Sequence, residues 1–148
     1  MSDRAHVAVL HAGCVLQEYS VYAATPRGPG FARWSLPGGG LLPGESFAAA
    51  AAREAREEIG WDVVLGSVLA VTEFVAVRTG ERSIHLVFNA QLKPGEWPHV
   101  PEDQPGDPDS GRVTDLRWLA VAELPDHLAW LRDIVQGRLA SHYELHRY

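Results

Sequence analysis

The sequence predicts an α/β fold, an α/β/α sandwich with a mixed sheet between helices. Three observations predict it. Two stretches, 45–59 and 122–140, carry apolar residues at helical spacing. Segments rich in Val, Leu and Phe, with strand character, stand before the first stretch and between the two. The chain has 148 residues, of which 46% are hydrophobic. That length suits one domain, 1–148, with a sizeable core.

The strands come first. His6 to Leu16 reads as one buried strand. Glu18-Tyr19-Ser20 reads as a turn and Val21 to Thr25 as a short strand. A Pro/Gly loop follows at 26–30, and Phe31 to Leu36 leads into a Gly-rich loop. Beyond the first helix, Val63 to Val77 is β-rich, as two strands or as one with a bend. A turn at 78–82 returns the chain through Ser83 to Leu92. Ile84, Leu86, Phe88, Ala90 and Leu92 share one face, which is core. His85, Val87, Asn89 and Gln91 share the other, which lines a cleft or stands half-exposed. Lys93 to Arg112 has five prolines and no periodicity. Loops of that length are usually functional or disordered. Val113 to Leu119 is a last strand. Ala122 to Ala140 is the second helix, with Leu124, Leu128, Leu131, Val135 and Leu139 as its stripe. The tail 141–148 has no assignable role.

The first helix sits in the most informative stretch, Gly39 to Trp61. Leu36-Pro37-Gly38-Gly39-Gly40 and Pro43-Gly44 are tight loop signals. A run rich in Ala, Glu and Arg then continues to Ile59, and Gly60 stops it. Phe47, Ala48, Ala51, Ala52, Ala55 and Ile59 form the apolar stripe. Small alanines let the helix lie close to a sheet. Glu54, Glu57 and Glu58 stand at i, i+3 and i+4, where like charges oppose the helix. A hard divalent cation such as Mg²⁺ or Mn²⁺, which takes oxygen ligands, reverses that sign. The competing reading is a solvated charged face, with Arg53 and Arg56 interleaved. The Gly loop ahead and the Gly stop behind favour the metal site.

This stretch resembles the Nudix box, G-x5-E-x7-R-E-U-x-E-E-x-G-U, with U a bulky aliphatic residue. Gly39, Glu45, Arg53, Glu54, Glu57, Glu58 and Gly60 match its invariant letters. Ala55 and Trp61 depart from it at the U positions. The resemblance implies the Nudix-type α/β/α sandwich and a metal-dependent hydrolase of nucleoside diphosphate derivatives. Attack of metal-bound water on phosphorus would break a diphosphate bridge. Glu54, Glu57 and Glu58 would be catalytic and hold metal, with the Gly38 carbonyl a further ligand. Glu45 would stand near the metals and Arg53 would orient the glutamates. Glu54 or Glu57 would take the proton. In related enzymes the loop corresponding to 93–112 touches substrate and can add a carboxylate, for which Glu102 and Asp103 are candidates. Trp34 and Trp97 are candidates to stack on a base, and Arg27 and Arg78 to bind substrate.

Net charge is 13 − 19 = −6. This argues against duplex nucleic acid as the main partner. It allows a small-molecule nucleotide substrate, because bound metal inverts local charge. The residues marking ADP-ribose, dinucleoside polyphosphate and coenzyme A hydrolases are not found. By elimination a nucleoside triphosphate or nucleotide sugar remains. Two alternatives are a non-catalytic nucleotide-sensing module, which would lose box glutamates, and a hydrolase of RNA 5′-phosphate ends. The latter would want Arg27, Arg33, Arg78 and Arg82 clustered. Cys14 is the single cysteine. It reads as a small buried hydrophobe. No secretory leader and no apolar run of 18 residues is seen, so a cytoplasmic protein without membrane contact is expected. A homodimer is compatible with all of this.

Overall fold

The computed structural model describes residues 2–95, 97–104 and 111–148. In chain order the elements are β1 (Arg4–His11), β2 (Cys14–Tyr22), β3 (Phe31–Ser35), β4 (Gly38–Gly40) and α1 (Phe47–Ile59). They continue with β5 (Val63–Val75), β6 (Arg82–Leu92), β7 (Arg112–Ala120), α2 (Ala129–Val135) and β8 (His142–Arg147). Among the described residues the strands form one mixed sheet, ordered β3-β2-β1-β6-β5-β8, with β4 beside β1 and β7 beside β2. The β1–β6 and β5–β8 pairs are parallel. The expected α/β architecture is the one found.

Two cores lie on the two faces of the sheet. One packs Val7, Val9, Leu16 and Phe88 against Ala51, Ala55 and Ile59 of α1. The other packs Ala8, Val15 and Leu69 against Leu124, Leu128 and Leu131. The two departures from the box complement each other in the first core. Ala55 is fully buried and lets α1 approach the sheet, while Trp61, 1% exposed, fills the volume beyond the helix end. Packing at interior density needs both terms.

β1 and β2 pair only at their hairpin end, through Leu10–Val15 and His11–Cys14. Beyond that they diverge. β2 goes on to pair β3 and β7, while β1 pairs β4 and β6. The sheet therefore splits into two halves joined at one corner. Leu36 to Gly40 occupies the split, where the Val7 N–H donates to Pro37 O at 2.9 Å.

Several expectations are corrected. The 6–16 strand is two strands, because Ala12 (φ 50°) and Gly13 (φ 76°) make a tight hairpin turn. Glu18-Tyr19-Ser20 is no turn; these residues lie within β2 and pair with β3. Of the two readings of 63–77, the single bent strand is the one found, as β5 (Val63–Val75) with register shifts between Leu65 and Ala70. The second helix is far shorter than 122–140. Two 3₁₀ turns, Val121–Glu123 and Asp126–Leu128, flank Pro125, and Gly137 (φ 77°) ends the helical region. Val135 and Leu139 are accordingly exposed. The tail without a role is β8, laid parallel on β5. Among the described residues no helix is long and apolar enough to cross a membrane.

Candidate active site

The site begins with how α1 is held. The Ser46 hydroxyl accepts from Ala49 N at 3.1 Å, capping the N-terminus. Gly60 closes the C-terminus in the left-handed region at φ 67°. A fully buried alanine face fixes which side of α1 meets the sheet. Glu54 and Glu58 thus face the Gly loop in the split of the sheet. A Cβ on Gly39 would run into the Glu54 carboxylate, so only glycine lets that backbone lie against it.

Arg53 is the hub of one carboxylate group. Its Nε and Nη2 donate to Glu45 at 2.8 and 2.9 Å, and Nη2 also donates to Gly40 O at 2.9 Å. Its Nη1 donates to Glu54 and Glu57, both at 3.0 Å. All of the guanidinium N–H capacity is therefore used. The Leu42 N–H adds a bond to Glu45 at 3.0 Å. The Arg53 fork, helped by that amide, holds the Glu45 carboxyl down at about 2. Burial pushes the Glu54 carboxyl up, against the pull of Arg53.

Glu58 belongs to a different group. It accepts from Gly38 N at 2.8 Å and lies against Glu18 of β2. Glu18 is 3% exposed, and its Oε2 has no partner. Burial and the facing Glu58 push Glu18 well above the usual carboxylate range. Burial likewise brings Glu58 to about 7.

A cleft opens beside β1 and the residues before the Gly loop, in two parts of about 360 and 270 Å³ that share Arg33, Phe74 and His85. Arg4 lines the outer part with Ser2 and Tyr148. His6, Trp34, Trp130, Glu144 and His146 line the inner part. Phe74 sits between the His85 and His146 rings, at 4.6 and 5.1 Å. Trp34 is braced from behind by the Arg117 guanidinium, 4.1 Å from its ring centroid, and Gln17 holds that guanidinium at 2.7 and 2.9 Å. Burial, reinforced by Arg4, depresses His6 to about 3 and His85 to about 4. Both rings are neutral at physiological pH. Arg4 lines the outer part of the cleft and sits on β1 between Gly40 of β4 and His85 of β6.

The residues singled out from the sequence separate into two sets. Arg53, Glu45, Glu54 and Glu57 meet around one guanidinium, and Glu58 and Gly38 stand beside them. Gly38 reaches Glu58 through its N–H. Trp34 lines the cleft. The others lie elsewhere. Arg27 is exposed, its N–H bonded to Thr25 Oγ1 at 3.2 Å. Arg78 is exposed in the turn between β5 and β6. Trp97, 59% exposed, packs on His11 and Trp118. Glu102 and Asp103 are exposed in a bend. Glu96 and 105–110, which hold the remaining acids of that loop, lie outside the described residues. Sequence reading missed Glu18, Arg4, His6, Phe74, Trp130 and His146. The alternation Leu16, Glu18, Ser20 was the available signal for Glu18, hidden by reading a turn there.

Among the described residues, no three His, Cys, Asp or Glu side chains are gathered as placed to hold an ion. Arg53 draws Glu54 and Glu57 one way, while Glu58 turns to Glu18. The donor set still fits a hard divalent cation. It is all oxygen, Glu58 is held at the Gly loop, and a buried carboxylate oxygen of Glu18 lacks a partner.

Comparison with known proteins agrees. The model of the NUDIX domain matches residues 3–137. A NUDIX hydrolase from Nitrosomonas europaea superposes with a TM-score of 0.67 at 18% identity, covering 99% of this chain and 79% of that one. A MutT NUDIX hydrolase from Burkholderia pseudomallei gives 0.59 at 26% identity, over 88% and 96%. An ADP-ribose pyrophosphatase from Streptococcus suis gives 0.63 at 18%, over 97% and 98%. No curated protein matches the chain. With the box glutamates on α1, the Gly loop against them and the domain match over 3–137, the chain belongs to the Nudix hydrolase family and is a pyrophosphohydrolase.

Proposed function

We propose that the protein hydrolyses the diphosphate bridge of a nucleotide derivative, a nucleoside triphosphate or a nucleotide sugar, with Mg²⁺ or Mn²⁺. One observation carries this reading. Arg4, on β1 between Gly40 and His85, lines a cleft walled by aromatic and imidazole rings, and the Gly loop paired to the same strand holds Glu58. Rings suit a base, which can stack on Trp34, Phe74 or Trp130. Cations suit phosphates. Arg4 and Arg33 line the cleft and form no salt bridge among the described residues, so both are available to an anion.

Glu54, Glu57 and Glu58 would hold the metal. A divalent ion there would neutralise phosphate oxygens and lower the pKa of water. The chain's own residues do the rest. Arg53 fixes the rotamers of Glu54 and Glu57. Glu54, whose carboxyl burial raises, is suited to accept a proton. Neutral His6 and His85 add hydrogen-bonding capacity to the cleft without repelling cations.

The test is a panel of nucleoside triphosphates, nucleotide sugars, ADP-ribose, dinucleoside polyphosphates and 5′-triphosphorylated RNA, each with Mg²⁺ or Mn²⁺. Turnover of a triphosphate or a nucleotide sugar, yielding a nucleoside monophosphate, is expected. Glu57→Gln should reduce kcat by about a thousandfold or more while leaving the circular dichroism spectrum unchanged. Full activity of that variant would refute the metal assignment. Turnover confined to RNA ends would refute the substrate class.

A further inference from the structure

We propose that Glu18, from β2, is a further ligand of the metal centre, supplying a carboxylate from outside the box. The inference rests on the metal-dependent reading above and extends it to a residue on another element.

The geometry makes the case. Leu16, Glu18 and Ser20 alternate onto one face of β2, and Leu16 belongs to the core under α1. Glu18 therefore points at the helix, where Glu58 meets it. Its neighbours across the sheet are Ser35 on β3 and Leu116 on β7. It is 3% exposed, and its Oε2 has no hydrogen-bond partner. Among the described residues, neither Arg4 nor any other cation forms a salt bridge with it.

A carboxylate without a partner, facing another carboxylate in the interior, is costly. An apolar side chain of similar size would stabilise the fold more. The position instead holds an acid aimed between sheet and helix. Hard divalent ions demand several oxygen ligands, and the box alone offers them from one side only. Glu18 offers the opposite wall. Gly38, whose N–H holds Glu58, fixes the second carboxylate while the first approaches from β2. The partnerless Glu18 oxygen beside Glu58 marks the place a cation would take.

Mn²⁺ binding to the substrate-free protein tests this, by calorimetry and by the electron paramagnetic resonance signal of free Mn²⁺. Glu18→Gln keeps the size and can donate to Glu58, so it should fold. Its Mn²⁺ affinity should fall at least about tenfold, and its melting temperature should rise less with Mn²⁺ than that of the wild type. Affinity within about twofold of wild type would overturn the proposal and leave Glu18 as a structural acid. Glu18→Asp, which retracts the carboxylate by one methylene, should weaken Mn²⁺ in the same direction and serves if the Gln variant fails to fold. Glu57→Gln runs alongside. Mn²⁺ lost there but retained in both Glu18 variants refutes only this inference. Mn²⁺ retained in every variant refutes the metal reading itself.

Discussion

Two groups of acids lie side by side in this protein and are treated in opposite ways. Glu45, Glu54 and Glu57 surround Arg53, and the guanidinium is saturated by them and by Gly40 O. Glu18 and Glu58 face each other with no cation between them, and one oxygen is left without a partner. In the first group a resident cation already balances the acids, including Glu54 and Glu57, which would also hold the metal. The second is a balance of buried charge that the protein alone leaves unresolved. The difference teaches which acids the protein already balances with its own cation and which it leaves facing each other.

The largest effect should come from breaking the first group. Arg53→Ala leaves Glu45, Glu54 and Glu57 without their cation in a partly buried setting. Urea unfolding should show a loss of about 3 kcal/mol or more. Arg53→Lys keeps the charge but not the fork, and should fall between the two. A loss under about 1 kcal/mol for Arg53→Ala would make the network ornamental.

The second group should show itself through pH. In metal-free protein the folded state keeps a proton on Glu58 up to about 7, whereas the unfolded chain releases it near 4.5. Folded protein thus binds more protons in that window, and stability falls as pH rises through it, by about 1.4 kcal/mol per unit at most. Glu58→Gln should remove the Glu58 share of that slope, leaving the share of Glu18, which burial also raises. His6 acts with the opposite sign. Its folded pKa of about 3 lies below the unfolded 6.5, so its contribution is complete above 6.5 and is lost as pH falls toward 3. The comparison to make is therefore variant minus wild type, by chemical denaturation from pH 4.5 to 7. Parallel curves would contradict the assignment.

The smallest effect concerns the cleft rather than the acids. Trp130→Ala removes a ring from its inner wall. KM for the best nucleotide should rise about tenfold with kcat little changed, as expected for losing one stacking partner. An unchanged KM would move the base to Trp34 or Phe74.

How much of this was legible in the chain varied by residue. Glu54, Glu57 and Glu58 could be placed on one helix because spacing, loop and stop coincide within 23 residues. The alanine face of α1 was legible for the same reason, although Ala50 replaces Ala48 on the buried side. Local signals failed where tertiary contacts decide. Glu18-Tyr19-Ser20 has turn-like composition, yet β3 and β7 on either side hold it as strand. The tail at 142–147 has no strand signature of its own and becomes one by pairing with β5. Once there, it places His146 on Phe74 and Glu144 in the cleft. Arg4 carried no motif at all. Its importance comes from β4 and β6 flanking β1, a long-range arrangement no short window can hold.

The split between β1 and β2 has a mechanical consequence. Glu18 rides on the half-sheet of β2, β3 and β7, while Gly38 is paired to β1 in the other half and ties down Glu58. The halves share two paired positions at the hairpin corner, so they are hinged there rather than welded along their length. On the proposed reading, an ion held by Glu18 and Glu58 would act as a rivet across the open end of that hinge. Amides of β2, β3 and β4 should then gain protection from hydrogen exchange when Mn²⁺ is added. Those of β5 and β8, on the far side, should not.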